Sequence, residues 1–177
     1  MKAEHVQGLV PAIVKQTAEF IALRRHLHAD PELSYEEHRT SRLVLERLQS
    51  WGIEAHRGLA GTGVIGVLRS GRSERSIGLR ADMDALPVTE VNRFSHASTS
   101  PGKMHACGHD GHTVMLLAAA KHLAGQRDFD GQVVFIFQPA EERGAGAQRM
   151  IQEGLFERHR CDAVFGIHNL SLIHISE

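Results

Sequence analysis

Residues 133–142 read Val133-Val134-Phe135-Ile136-Phe137-Gln138-Pro139-Ala140-Glu141-Glu142. Five consecutive β-branched or aromatic residues without alternation are the pattern of a short strand buried on both sides. A strand of that kind belongs inside a sheet covered by helices on both faces. The turn at Pro139 is followed at once by two carboxylates. Open α/β sheets build their sites just beyond the carboxyl ends of their strands, so this placement joins a fold to a chemistry.

The chain around this strand alternates. Gly111–Gly125 has helical spacing, Gln132–Gln138 is the strand, Ala145–Glu153 is a short helix, and Ala163–Ile167 reads as another buried strand. Upstream, Gly63–Arg69 and Ser76–Ala81 are short β-like runs, and the turn-rich residues 70–75 between them predict a hairpin. Residues 85–110 lack periodicity, and loops that long inside a compact domain are usually functional. From residue 4 to 28 apolar residues recur at helical spacing, with Pro31 closing the element. Ser34 followed by Glu37 has the spacing of a capping box for a second helix, whose inner face carries Leu43, Val44, Leu45 and Leu48 and whose end is marked by Gly52. The expected fold is α/β, a mixed central sheet with helices on both faces.

Composition narrows the function. With 177 residues, 42% of them hydrophobic, the chain can bury one real core. A net charge of −1 leaves no basic footprint for nucleic acid or a membrane surface. The longest apolar runs, Val133–Phe137 and Val114–Ala120, are too short to span a bilayer. The first residues lack the apolar region of a signal peptide, and two cysteines make no disulfide framework, so a cytoplasmic location is expected. Of the 13 histidines, His5, His38, His56, His96, His122 and His159 sit among polar neighbours or on helical patterns and read as surface or ordinary packing residues.

The densest chemistry lies in Met104-His105-Ala106-Cys107-Gly108-His109-Asp110-Gly111-His112. A thiol, three imidazoles and a carboxylate in nine residues suit a divalent transition metal. Cys107 and His109 flank Gly108, so both can reach one metal from a loop. Glu141 and Glu142 point opposite ways if extended, which lets one ligate while the other faces a bound water. His168 follows an apolar strand and would lack a partner without a metal. Asp82 and Asp84, at i and i+2 beyond the SIGLRA strand, can orient a ligand, as can His112. Cys161 has no convergent partners and reads as structural.

Taken jointly, RRHLHADPELSYEEHRT (24–40), LRADMDALPVTE (79–90), PGKMHACGHDGHT (101–113), VVFIFQPAEE (133–142) and FGIHN (165–169) closely resemble the M20 family of metallo-amidohydrolases, in its hippurate hydrolase and N-acyl-amino-acid (including indole-acetyl-amino-acid) amidohydrolase branch. The resemblance implies a zinc-peptidase-like catalytic domain with two divalent ions, Mn²⁺ or Zn²⁺. It implies Cys107, His109, Glu142 and His168 as ligands, Glu141 as general base and acid, and Asp84 and Asp82 as orienting groups. In related branches a His stands where Asp82 is, and Cys107 supplies a ligand instead. It further implies an N-acyl amino acid as the small-molecule partner, no nucleic acid or membrane partner, and a homodimer or higher assembly of the full-length form.

Family sequences continue into a lid or dimerisation domain and a further ligand His, so residues 1–169 are expected to be the first part of the catalytic domain and inactive alone. Residues 170–177, LSLIHISE, depart from the family pattern and match the translation of a transposase adapter used in DNA library preparation, which predicts a non-native tail. Two rival readings remain open. In one, Cys107 is the nucleophile of an amidase with His109 or His112 as base. In the other, the chain binds metal without turnover.

Overall fold

The computed structural model describes residues 10–169. The expectations placed on residues 4–9, including His5, and on residues 170–177 lie outside that range. The elements, in chain order, are α1 (Pro11–Val14), α2 (Thr17–Ala29), α3 (His38–Ser50), β1 (Glu54–Leu59), β2 (Gly63–Ser70), β3 (Ser76–Asp82), α4 (His109–Gln126), β4 (Gly131–Gln138), α5 (Gly146–Gln152), α6 (Leu155–Arg158) and β5 (Ala163–Gly166). They form one mixed five-stranded sheet of order β1-β2-β4-β3-β5. β4 is parallel to β3 and antiparallel to β2, and β5 is parallel to β3.

The apolar run Val133–Phe137 lies in the middle strand. Its period of two divides one run between two cores. Val133, Phe135 and Phe137 face α2, α3 and α4, packing with Leu23, Leu48 and Leu117. Val134 and Ile136 face the other way, onto Met150 of α5 and Leu155 of α6. Helices therefore cover both faces, as expected.

Four local expectations are corrected. β2 and β3 are not a hairpin, because β4 lies between them. A strand apolar on both sides gains most from neighbours on both edges, so β4 takes the central place. The true hairpin is β1–β2, turning through Ala60 and Gly61, both at positive φ (50° and 84°). β1 is polar and mostly exposed, so it carries little periodic signal.

The N-terminal helix breaks at Lys15–Gln16 into α1 and α2. Pro11 takes the first position of α1, where its missing N–H is harmless. Ser34 and Glu37 form no capping box. Instead Glu32 caps α3, accepting the N–H of Arg39 (3.0 Å) and of Thr40 (2.8 Å). The end of α3 is as expected: Gly52 (φ 71°) donates to Gln49 O and Ile53 to Leu48 O, the bond pair of a Schellman motif.

β5 is not buried. It is the sheet's edge, with Val164 46%, Phe165 58% and Ile167, just past it, 66% exposed among the described residues.

The turn after β4 is closed so tightly that only glycine fits at 146. A Cβ there would lie 1.8 Å from Pro139 O. Gly146→Ala should therefore destabilise by about 1–3 kcal/mol or more, as overpacking does. A Cβ at Gly125 in α4 would meet nothing within 4 Å, and Gly125→Ala should stabilise by about 0.5–1 kcal/mol. Thermal unfolding of the two variants would show opposite shifts in Tm.

Candidate metal centre

β3, β4 and β5 run parallel and end side by side at Asp82, Gln138 and Gly166. The residues just past those ends are Asp84, the Glu141–Glu142 pair and His168. α4 begins at His109, after Gly108 at φ 80°. Side chains from four segments thus meet at one edge.

His109 is the centre. Its ring is fully buried. Nδ1 faces Asp84 Oδ1 at 3.3 Å. Nε2 has no hydrogen-bond partner and looks into a ring of carboxylate oxygens: Asp82 Oδ2 at 3.7 Å, Glu142 Oε1 at 3.7 Å and Glu141 Oε2 at 3.9 Å. Glu142 Oε1 is itself buried without a partner. Burial alone would push the His109 pKa down, but Asp84 and the charges of Asp82 and Glu142 outweigh it and raise it.

Two donor sets share this imidazole. Cys107, His109 and Glu142 offer donor atoms within 4.8 Å of one another, and so do Asp82, His109, His112 and His168. All the residues expected at the site are therefore brought together. The mixture of sulfur, nitrogen and oxygen, with two orphaned buried atoms facing each other, fits a divalent transition metal. His112 is the least free of the group: Nδ1 lies 2.6 Å from Asp82 Oδ1, and Nε2 accepts the N–H of Asn169 at 2.9 Å. Both ring nitrogens are engaged, which suits an orienting role. Burial works to raise Asp82, yet the hydrogen bond to His112 and the charges of His109 and Arg80 hold it below the usual carboxylate range.

The Cys107 thiol is pushed up to about 12, first by burial and then by the Glu142 and Glu141 carboxylates. Without a cation it stays protonated at neutral pH. A thiolate there needs a metal, and a free nucleophilic thiolate is disfavoured.

The Glu141–Glu142 turn is held from behind by Asp84, expected as an orienting group, and by Glu37, Ser34, Tyr35 and Thr62, whose roles were not legible in the sequence. Three successive N–H groups point at two buried carboxylates. Ala140 (φ 51°) donates to Glu37 Oε1 at 2.8 Å, while Glu141 and Glu142 donate to Asp84 Oδ1 and Oδ2, each at 3.0 Å. Ser34 Oγ donates to Asp84 Oδ2 at 2.6 Å and Thr62 Oγ1 to Glu37 Oε2 at 2.6 Å. Tyr35 Oη donates to Gly144 O. The Ser34–Glu37 spacing that resembles a capping box instead supports the carboxylate turn. The only signal in the sequence was two polar residues before a helix that needed neither.

The long loop is also pinned. His28 joins Asp110 Oδ2 (2.9 Å, Nδ1) on α4 to Glu90 Oε1 (3.1 Å, Nε2) on the loop. Cys161 stands apart from the centre, its Sγ donating to His159 O, in keeping with a structural role.

Over 163 residues the chain is 48% identical to the hippurate hydrolase of Campylobacter jejuni, covering 92% of this chain and 42% of that protein. It is 46% identical over 171 residues to the N-acyl-L-amino acid amidohydrolase of Geobacillus stearothermophilus, covering 95% of this chain and 45% of that one. The chain thus spans less than half the length of these relatives. Its fold is similar to that of a dinuclear metal-binding M20 peptidase from Bacillus subtilis, with TM-score 0.83 and 38% identity over 91% of this chain and 44% of that one. Residues 78–172 match the profile of peptidase family M20/M25/M40, and they run from β3 through both donor sets. On the donor sets, the sheet and this match together, the chain belongs to peptidase family M20/M25/M40.

Proposed function

We propose that this chain carries the metal-binding half of the active site of an amidohydrolase that cleaves the amide bond of N-acyl amino acids. The observation that carries the proposal is the partnerless Nε2 of His109 facing the partnerless Oε1 of Glu142, with the Glu141 carboxylate beside them. The names of the two relatives supply the substrate class.

In this proposal Cys107, His109, Glu142 and His168 hold the divalent ions, Mn²⁺ or Zn²⁺, two per complete subunit. Asp84 steadies His109, and Asp82 steadies His112. A bound divalent ion would polarise the scissile carbonyl and make a neighbouring water more acidic. Glu141 takes the proton from that water as its oxygen bonds to the carbonyl carbon, then gives it to the amine nitrogen as the C–N bond breaks. Asp84, by holding the Glu141 N–H, fixes where that carboxylate starts. A homodimer or higher assembly of the full-length form and a cytoplasmic location belong to the same proposal. No helix among the described residues is long and apolar enough to cross a membrane.

The test is turnover of N-benzoylglycine and N-acetyl amino acids by the protein carrying the whole catalytic domain. Activity should vanish with a chelator and return with Mn²⁺ or Zn²⁺. Turnover that resists chelation but stops on thiol alkylation would favour the cysteine nucleophile instead.

A pH dependence follows for metal binding. The free Cys107 thiol holds its proton up to about 12, so ligation must expel it. Against burial, Asp84 and the charges of Asp82 and Glu142 raise His109 as well, so a proton competes harder with metal for its ring. Raising the pH therefore favours binding, and apparent affinity should climb by about tenfold or more per pH unit through the neutral range. Cys107→Ser should flatten that slope in a calorimetric titration at several pH values.

A further inference from the structure

His56 and His159 look like ordinary surface residues in the sequence, yet the fold brings them together across 103 residues of chain, with Nε2 3.2 Å from Nε2. His56 lies on β1, and His159 caps α6, the helix packed on the same side of the sheet. Among the described residues, neither imidazole has another hydrogen-bond partner. The rings are tilted by 31° with centroids 5.0 Å apart. We propose that His56 and His159 form a second divalent transition-metal site, separate from the centre at His109.

The geometry fits a shared ion. Two metal–nitrogen bonds of about 2.0–2.1 Å that span 3.2 Å would meet at about 100–105°, close to a tetrahedral angle. Imidazole ligates only when neutral. Burial, with the charges of His56 and Arg158, lowers the His159 pKa, which favours that form. Glu54 precedes His56 by two residues on the same strand face, and its charge is close enough to act on His159. Its charge would draw a cation toward the pair without making it a ligand, and Arg158 opposes it. An ion held here would join β1, an edge strand, to the segment leading into β5, the other edge.

A hydrogen bond between two neutral rings gives a similar separation, so the experiment must separate the two. Zn²⁺ is titrated calorimetrically, at fixed pH, into the chain and into the His56→Ala, His159→Ala and His56→Gln variants. Each variant should lose one equivalent of bound Zn²⁺, with the affinity at that site falling roughly tenfold or more once a pair of ligands becomes a single one. The rest of the isotherm should stay unchanged. His56→Gln keeps a polar group able to bond to His159, so its loss of Zn²⁺ cannot be laid to a lost hydrogen bond, and circular dichroism checks that each variant folds. The same loss should appear when His56→Ala is added to His109→Ala, which shows it independent of the first centre. Unchanged stoichiometry and affinity in all the single variants would overturn the proposal and leave a plain hydrogen-bonded pair.

Discussion

Glu141→Gln in the protein carrying the whole catalytic domain is expected to lose turnover by about 10²–10⁴-fold, the usual size of a general acid–base contribution. Metal content should be unchanged. The amide keeps the size of the side chain, and the backbone N–H that Asp84 accepts is untouched, so the turn at 140–142 should hold its shape. What disappears is a proton acceptor. Loss should therefore fall on kcat more than on KM, and elemental analysis should match the wild type. A lost equivalent of metal would make Glu141 a ligand, and the proton-transfer role would pass elsewhere. Its neighbour provides the contrast: Glu142→Gln weakens a donor whose buried Oε1 has no other partner, and should lower metal occupancy.

His109→Ala is expected to do the most damage. Its imidazole belongs to both donor sets, so its loss should reduce binding at both metal positions. Replacing even a residue that only orients a ligand typically lowers affinity or activity by about 10–100-fold, and a ligand common to two sets should exceed that. The buried carboxylates of Asp82 and Asp84 would lose the imidazole that helps hold both below the usual carboxylate range against burial, so Tm should also fall. His112→Asn tests the difference in kind. His112 has both nitrogens engaged, so this variant should retain metal at the Cys107–His109–Glu142 set while weakening the other. Equal loss of both equivalents in the two variants would contradict the assignment.

What the sequence made legible follows from where the signals are local. Val133–Phe137 announces a buried strand because its own residues can do little else, and the residue types of Cys107, His109, Glu141, Glu142 and His168 carry their chemistry wherever they stand. Strand partners are not local. Nothing in Gly63–Arg69 or Ser76–Ala81 says that β4 will come between them, since that depends on a segment some fifty residues further on finding two edges at once. The same holds for Glu37 and Ser34. Their spacing matches a helix cap, but the backbone N–H groups that claim them arise at residue 140 and, through Asp84, at 141 and 142. β5 shows the converse: its apolar residues suggested burial, while its place at the edge leaves them exposed.

The most direct measurement is the absorption spectrum of the chain loaded with Co²⁺, which reports sulfur ligation without requiring turnover. If Cys107 is a ligand, a thiolate-to-cobalt charge-transfer band should appear in the near ultraviolet as metal is added. It should persist in Glu141→Gln, weaken in His109→Ala and be absent in Cys107→Ser, while Cys161→Ser leaves it intact. A wild-type chain that binds Co²⁺ without that band, or keeps it in Cys107→Ser, would contradict the proposed centre.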